Sequence, residues 1–300
     1  MGSHLVDALV AAGARVTVAD NLVTGDRRNL ADVADRIDLH KLDLVHDDVR
    51  PLLAASEPET IFHLAAASYV PASVEDPRTD LENNIIATFN LLQAVRETTP
   101  AARVVHTSSA AVYGQGAGVP LHEDDPTFPV SPYGVSKLAA ERYVAVFAGV
   151  YGLHTANVRL FPVYGPRLRK QVVYDLMCKV HANPEELFII GDGTQVRDFT
   201  HAGDIVASLL IVADASEGRG EIYNVAADEP VTIAELATMI CERMGVAPRF
   251  VYSGDVRAGE AQRWLADASR MATLGYRQRI ALEDGLSDTV AWFRRDIAGS

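Results

Sequence analysis

Tyr133 and Lys137 stand four residues apart in the segment Ser131-Pro132-Tyr133-Gly134-Val135-Ser136-Lys137. A proline suited to the first helical position, followed by apolar residues at helical spacing, predicts a helix that carries both side chains on one face. A phenol that titrates near pH 10 is a poor base at neutral pH. An ammonium held one turn away favours its phenolate and can also hold a sugar hydroxyl of a cofactor. Tyr133 would then exchange a proton with a substrate alcohol. The pair alone is equally what an exposed helix face provides. Ser109 adds context, because it follows the apolar strand Val104-Val105-His106 and stands 24 positions before Tyr133. Open α/β sheets place their ligands at such strand ends, where a serine hydroxyl can share the same substrate oxygen.

Stepping outward along the chain, strands alternate with helices. Residues 3–13 read as a helix closed by Gly13, and Arg15-Val16-Thr17-Val18-Ala19-Asp20 as a strand ending in an acid. Ile37–His40 with Leu42–Leu44 form the next expected strand, Val49–Ala55 a helix, and Thr60–Ala66 another strand. A long helix is expected from about Thr79 to Thr98, and a buried strand at Asn157–Leu160. The pattern predicts an α/β chain with a Rossmann-type, doubly wound parallel sheet. At Phe161-Pro162-Val163-Tyr164-Gly165-Pro166-Arg167 turn formers take over, which divides the chain into a dinucleotide-binding domain at 1–160 and a smaller α/β cap at 161–300, some of whose segments return to the first domain. The cap carries helices near Ile233–Met244 and Leu282–Arg295.

The motifs Ser108-Ser109-Ala110-Ala111-Val112-Tyr113-Gly114 and Ser131-Pro132-Tyr133-Gly134-Val135-Ser136-Lys137 resemble the short-chain dehydrogenase/reductases, in particular the extended branch of NAD-dependent nucleotide-sugar epimerases and dehydratases. The resemblance implies a catalytic set of Ser109, Tyr133 and Lys137. It also implies an NAD site at Gly2, Asp20, Asn21, Asp43, Leu44, Leu64, Ala65, Ala66, Asn84 and Phe161, together with Tyr133 and Lys137. Asn84 would support the active-site turn. Asp20 ends its strand where a carboxylate would hydrogen-bond ribose hydroxyls and repel a 2'-phosphate, which favours NAD over NADP; the alternative is an acid opening a turn. In the resembling family a strand and a Gly-x-x-Gly-x-x-Gly turn precede the first helix. Gly2 matches the last of those glycines, so about a dozen upstream residues are expected to be missing from the sequence as written.

The substrate side is read the same way. Arg197, in Val196-Arg197-Asp198-Phe199-Thr200-His201, and Arg257, in Arg257-Ala258-Gly259-Glu260, resemble the two arginines that hold a sugar-nucleotide diphosphate, which suits bidentate guanidinium chemistry. Pro162 replaces the asparagine of the family's Phe-Asn-x-Tyr-Gly-Pro-Arg segment and removes a side-chain donor there. Trp264 falls at the position that gates sugar size, so an indole is expected to exclude 2-acetamido groups; the alternative is a tryptophan packed into the domain seam. Relatives that dehydrate or decarboxylate carry acid groups just after the catalytic serine or threonine, and here those positions are Ala110 and Ala111. Alanine moves no proton. The resemblance therefore implies epimerisation at C4 of a UDP-hexose through a transient 4-keto sugar. The alternatives are a 4-ketoreductase, a dehydratase or decarboxylase relative, and a non-catalytic relative that acts only by binding. A homodimer and a role in supplying cell-envelope polysaccharide are implied by the same resemblance.

Composition excludes other classes. A net charge of -13 over 300 residues argues against a nucleic-acid or anionic-membrane surface. No run approaches the roughly 18 apolar residues of a membrane span, which leaves a cytoplasmic protein as the expectation. The two cysteines, Cys178 and Cys241, lie in apolar helical patterns without metal-ligand spacing, so no metal is expected and both read as buried thiols in a reducing compartment. His63, alone within a strand, reads as a satisfied core histidine.

Overall fold

A computed structural model describes residues 1–115, 119–254 and 263–298. The chain runs α1 (Gly2–Ala11), β1 (Val16–Asp20), β2 (Ile37–Lys41), α2 (Arg50–Ser56), β3 (Thr60–His63), α3 (Val70–Glu75), α4 (Pro77–Leu81), α5 (Ala87–Thr98), β4 (Arg103–Ser109), α6 (Pro132–Tyr151) and β5 (His154–Leu160). The second half adds β6 (Val163–Tyr164), α7 (Gln171–Ala182), β7 (Glu186–Ile189), β8 (Val196–Asp198), β9 (Thr200–His201), α8 (Ala202–Ala215), β10 (Arg219–Val225) and β11 (Pro230–Thr232). It closes with α9 (Ile233–Met244), β12 (Arg249–Tyr252), β13 (Arg263–Trp264), α10 (Ser269–Thr273) and α11 (Leu282–Ala298).

The central sheet is parallel, in the order β10-β5-β4-β3, and a second parallel pair, β1-β2, lies apart from it. Strands covered on both faces place apolar side chains on successive residues, and Val104-Val105 of β4 shows why. Val104 packs with Leu91, Val95, Val144 and Phe147 on one face, while its neighbour Val105 packs with Ile205, Leu209 and Leu5 on the other. Helices α5 and α6 thus cover one face, and α1 and α8 the other. Among the described residues, no strand pairs β1 to β3, and a cavity of about 1720 Å³ is lined by both.

The second half has its own core of Met177, Leu187, Leu236, Ile240, Leu286 and Phe293, drawn from α7, β7, α9 and α11. The three-stranded sheet β11-β8-β13 carries Arg197 and Trp264. Strand β10 pairs with β5 and so brings residues of the second half into the first sheet.

The structure differs from the sequence reading in several places. Strand β2 stops at Lys41 and β3 at His63, because the chain turns there: Asp43 Oδ1 accepts from the Val45 amide at 2.9 Å, and 64–66 carry no ladder bonds. The long helix starts at Pro77, capped by Asp76, and is broken by a π-helical turn at Glu82–Ile86. A ten-residue 3-10 helix at Arg27–Arg36 was not expected. Cys241 is buried, but Cys178 is only partly so, since it sits at the edge of the second-half core. No helix among the described residues is long and apolar enough to cross a membrane.

Candidate functional site

The start of α6 is built by local chemistry. Pro132 takes the first helical turn, where no amide bond is lost, and Ser131 caps it by accepting from the Gly134 amide at 3.1 Å. The Tyr133 amide donates to Ser73 Oγ at 3.1 Å, so α3 ties down a second free amide. Gly134 lets α6 approach the turn behind Ser109: a Cβ there would meet the Ala111 carbonyl oxygen at 2.6 Å. Ser109 is the last residue of β4, and its Oγ accepts from the Ala111 amide at 3.2 Å, opening the 3-10 turn Ala110–Tyr113.

These elements bring Ser109, Tyr133 and Lys137 to one wall of the large cavity. The Tyr133 side chain is hydrogen-bonded to Ser109. Burial pushes the Tyr133 phenol up from its ordinary value; the Ser109 hydrogen bond opposes this, and Asp80 adds to it. Desolvation is the largest of these effects, so the phenol is held protonated, contrary to the phenolate expected from the Tyr133–Lys137 spacing. Lys137 is 3% exposed, and burial pushes its ammonium down to about 8, against the opposing pull of Asp80 and Glu141. Its Nζ lies 3.4 Å from His106 Nε2. His63, 4% exposed, bonds through Nε2 to Thr88 Oγ1 at 2.9 Å, and burial takes its imidazole down to about 3.

Asn84, in the π turn, is 1% exposed rather than on a solvated face. Its Nδ2 shares two hydrogens among Ala67 O at 3.0 Å, Asp80 Oδ1 at 3.0 Å and Ser136 Oγ at 2.9 Å, which ties the 65–67 turn to α6. The extra residue of a π turn aims this side chain inward, a device common at functional sites.

Beneath the site lies a buried ion pair that the sequence reading missed. Arg159 donates to Glu141 from Nε at 2.9 Å and from Nη2 at 2.7 Å, and both side chains are 1% exposed or less. Ser108 Oγ donates to the same carboxylate at 2.9 Å. Arg159 Nη1 donates to the Tyr113 hydroxyl at 2.7 Å, which in turn donates to Asn224 Oδ1 at 2.7 Å. The network pins Ser108, next to Ser109, to α6, β5 and β10. Glu141 carried a signal, one turn after Lys137 on the same helix face, where an acid among apolar neighbours needs a partner.

The residues expected to hold a dinucleotide line the same cavity: Gly2, Asp20, Asn21, Asp43, Leu44, Leu64, Ala65, Ala66, Tyr133, Lys137 and Phe161. Asn84 acts from behind, through Ala67. Asp20 ends β1 with Oδ1 accepting from the Leu22 amide at 2.7 Å, which leaves Oδ2 for a ligand. Asn21 Nδ2 donates to Asp43 Oδ2 at 3.1 Å, and the side chains of Ala65 and Ala66 are too small to obstruct a close approach. This donor set fits NAD: Asp20 offers a carboxylate to ribose hydroxyls, and Lys137 offers an ammonium one helical turn from Tyr133.

From the second half of the chain, the Arg197 guanidinium stacks over the Trp264 ring, 5.1 Å from its centroid, and both line the cavity. Trp264 Nε1 donates to the Gly114 carbonyl at 3.2 Å. Gly114 has φ 63° and lies so close to Phe128 O that no side chain fits, so the carbonyl is held in place. Pro162 also lines the cavity and offers only its carbonyl, which accepts from the Thr200 amide at 2.9 Å. Arg257 lies outside the described residues. Among the described residues, no group of three or more His, Cys, Asp or Glu is placed to hold a metal.

Residues 1–289 match the family profile described as GDP-mannose 4,6 dehydratase. The chain is 35% identical over 301 residues to a UDP-glucose 4-epimerase of Mycolicibacterium smegmatis, covering 98% of this chain and 95% of the relative. Among solved structures it is similar to the UDP-glucose 4-epimerase of Thermotoga maritima with UDP-glucose, at TM-score 0.92 and 30% identity, covering 99% of this chain and 96% of that one. It is also similar to the Thermus thermophilus UDP-glucose 4-epimerase in complex with NAD, at TM-score 0.88 and 32% identity, covering 98% and 95%.

Proposed function

Because the chain belongs to the GDP-mannose 4,6-dehydratase family of NAD-dependent nucleotide-sugar enzymes, we propose that it epimerises a UDP-hexose at C4. The observation that carries this is local. Ser109, Tyr133 and Lys137 meet at one wall of the cavity, and the two residues after Ser109 are Ala110 and Ala111, both buried. The site can move one alcohol proton, and the positions that would add a second acid or base hold methyl groups.

Asp20, Asn21, Asp43 and the 65–66 turn would hold NAD, with Lys137 on the nicotinamide ribose. The nicotinamide supplies reversible hydride acceptance at the sugar C4. Tyr133 takes the C4 hydroxyl proton while Ser109 steadies that oxygen. The 4-keto sugar turns over within the cavity, and Tyr133 returns the proton when the opposite face has been reduced. Arg197, seated on Trp264, would take the diphosphate, and Arg257 would complete its hold. The cavity's breadth supports the turnover step, since a bound sugar needs room to present both faces.

The proposal extends to a homodimer and a cytoplasmic setting. Support for the dimer comes from exposed apolar side chains on two adjacent helices, Phe89 on α5 and Val135, Tyr143, Val146 and Val150 on α6. A large apolar patch of this kind suits a second copy of the chain. Support for the setting comes from two unpaired cysteines. Incubation with UDP-, GDP-, CDP- and dTDP-hexoses, read by proton NMR, tests the function: a C4 epimer from a UDP-hexose is expected. A 4-keto-6-deoxy product or net cofactor reduction would overturn it in favour of the dehydratase or ketoreductase reading.

A further inference from the structure

We propose that His106 is a positioning residue for Lys137: a neutral imidazole whose Nε2 lone pair faces the lysine ammonium and holds it at the Tyr133 wall. The inference rests on the reading that Tyr133 and Lys137 form the proton-handling pair.

The geometry defines the tautomer. His106 is fully buried in β4, and its Nδ1 lies 2.9 Å from Asn157 Oδ1 on β5. The Lys137 ammonium only donates, so the Nε2 that faces it carries the lone pair and Nδ1 carries the hydrogen, which Asn157 Oδ1 accepts. That lone pair lies 3.4 Å from Lys137 Nζ. Burial and the lysine charge both hold the imidazole neutral, well below its ordinary titration range. Neighbouring His63 cannot substitute. Thr88 Oγ1 donates to Asn84 O at 2.6 Å and therefore accepts from His63 Nε2, which commits that ring to the α5 side. His63 and His106 sit with ring centroids 5.5 Å apart.

The charged and titratable groups around Lys137 come from several elements. Asp80 on α4 and Glu141 on α6 favour its ammonium, while burial opposes it. Glu141 is already engaged by Arg159 and Ser108, and Asp80 by Asn84. Among the described residues, His106 is the side chain whose hydrogen-bonding atom faces Nζ. A lysine so deeply buried needs an acceptor there to keep both its charge and its direction, because an unpaired buried ammonium neutralises. Without the acceptor, Lys137 loses its proton at lower pH and its reach to cofactor and phenol is no longer fixed.

The test uses His106→Phe, which removes the acceptor at similar volume, and His106→Gln, which restores a carbonyl acceptor. The chain has four lysines, so the Lys137 signal is separable in a 13Cε-lysine NMR titration, assigned by its loss in Lys137→Met. The wild-type Lys137 signal is expected to titrate near 8. In His106→Phe its midpoint should fall by about one pH unit or more, with His106→Gln near wild type. The basic limb of the kcat profile should move with it. A midpoint unmoved in His106→Phe, while thermal melting shows a folded protein, overturns the proposal, as does a Gln variant that matches Phe. Should the wild-type protein turn over no UDP-hexose, the function is wrong, yet the NMR arm still decides the role of His106. If both variants fail to fold, the same titration with His106→Asn decides, under the same criteria as the Gln variant.

Discussion

The two ends of the long cavity are built by different rules. At the Tyr133 end, side chains are buried and tied across four elements: Lys137 is 3% exposed, His106 0%, Asn84 1% and Arg159 0%. At the Asp20 end the residues are half exposed and held mostly by short local bonds, such as Asp20 to the Leu22 amide and Asp43 to the Val45 amide, with one longer link from Asn21 to Asp43. Proton transfer at C4 needs fixed geometry in a medium of low dielectric, where a misplaced charge is expensive. Holding a ribose needs a carboxylate and space. The difference teaches that chemistry is buffered by long-range networks and recognition by local turns, so substitutions at the two ends should fail in different ways.

The largest effect is expected from Tyr133→Phe. It removes the proton-transfer group and almost no volume, so kcat should fall by about a thousandfold while binding of the nucleotide sugar is retained, as measured by calorimetry. Near wild-type turnover would remove Tyr133 from the mechanism. Next comes Arg159→Met, which leaves Glu141 buried and unpaired. Destabilisation of about 3 to 5 kcal/mol is expected in urea unfolding, with kcat reduced in the fraction that stays folded. A loss under 1 kcal/mol would mean that the network beneath Ser109 is relaxed by water.

At the other end, Asp20→Asn should leave folding unchanged. It should weaken NAD binding by about tenfold, or about 1.4 kcal/mol, and narrow the gap to NADP. Unchanged preference would show that the carboxylate only shapes its turn. The smallest effect is expected from Trp264→Ala. If the indole gates sugar size, the variant should improve the relative rate on UDP-N-acetylhexosamines by about tenfold. Equal loss of kcat/KM for every UDP-sugar would instead make Trp264 a seat for Arg197, as their stacking also allows.

The same contrast explains what the sequence revealed. Tyr133, Lys137 and their helix were legible because Ser131 and Pro132 announce a helix start and the spacing does the rest. Ser109 was legible because β4 carries the apolar pair Val104-Val105 and ends in hydroxyls. The π turn at Asn84 was not, because one extra residue in a turn leaves the apolar spacing nearly intact and depends on where Ala67, Asp80 and Ser136 lie in space. Arg159 was read only as part of a buried strand and Asn224 was not singled out, since their partners are 18 or more residues away. His106 was legible only as part of a buried strand, and its relation to Lys137, 31 residues on, exists only after β4 and α6 pack together. The pairing of β13 with β8, which sets Trp264 beneath Arg197, is likewise a tertiary fact that two-residue strands do not announce.

The central claim is that this site exchanges one proton and one hydride at C4 and nothing else. UDP-[4-2H]glucose incubated with the protein and NAD, followed by NMR, tests it most directly. The account predicts UDP-galactose with deuterium retained at C4. Deuterium found at C6 of a deoxy sugar, or lost to solvent, would contradict it.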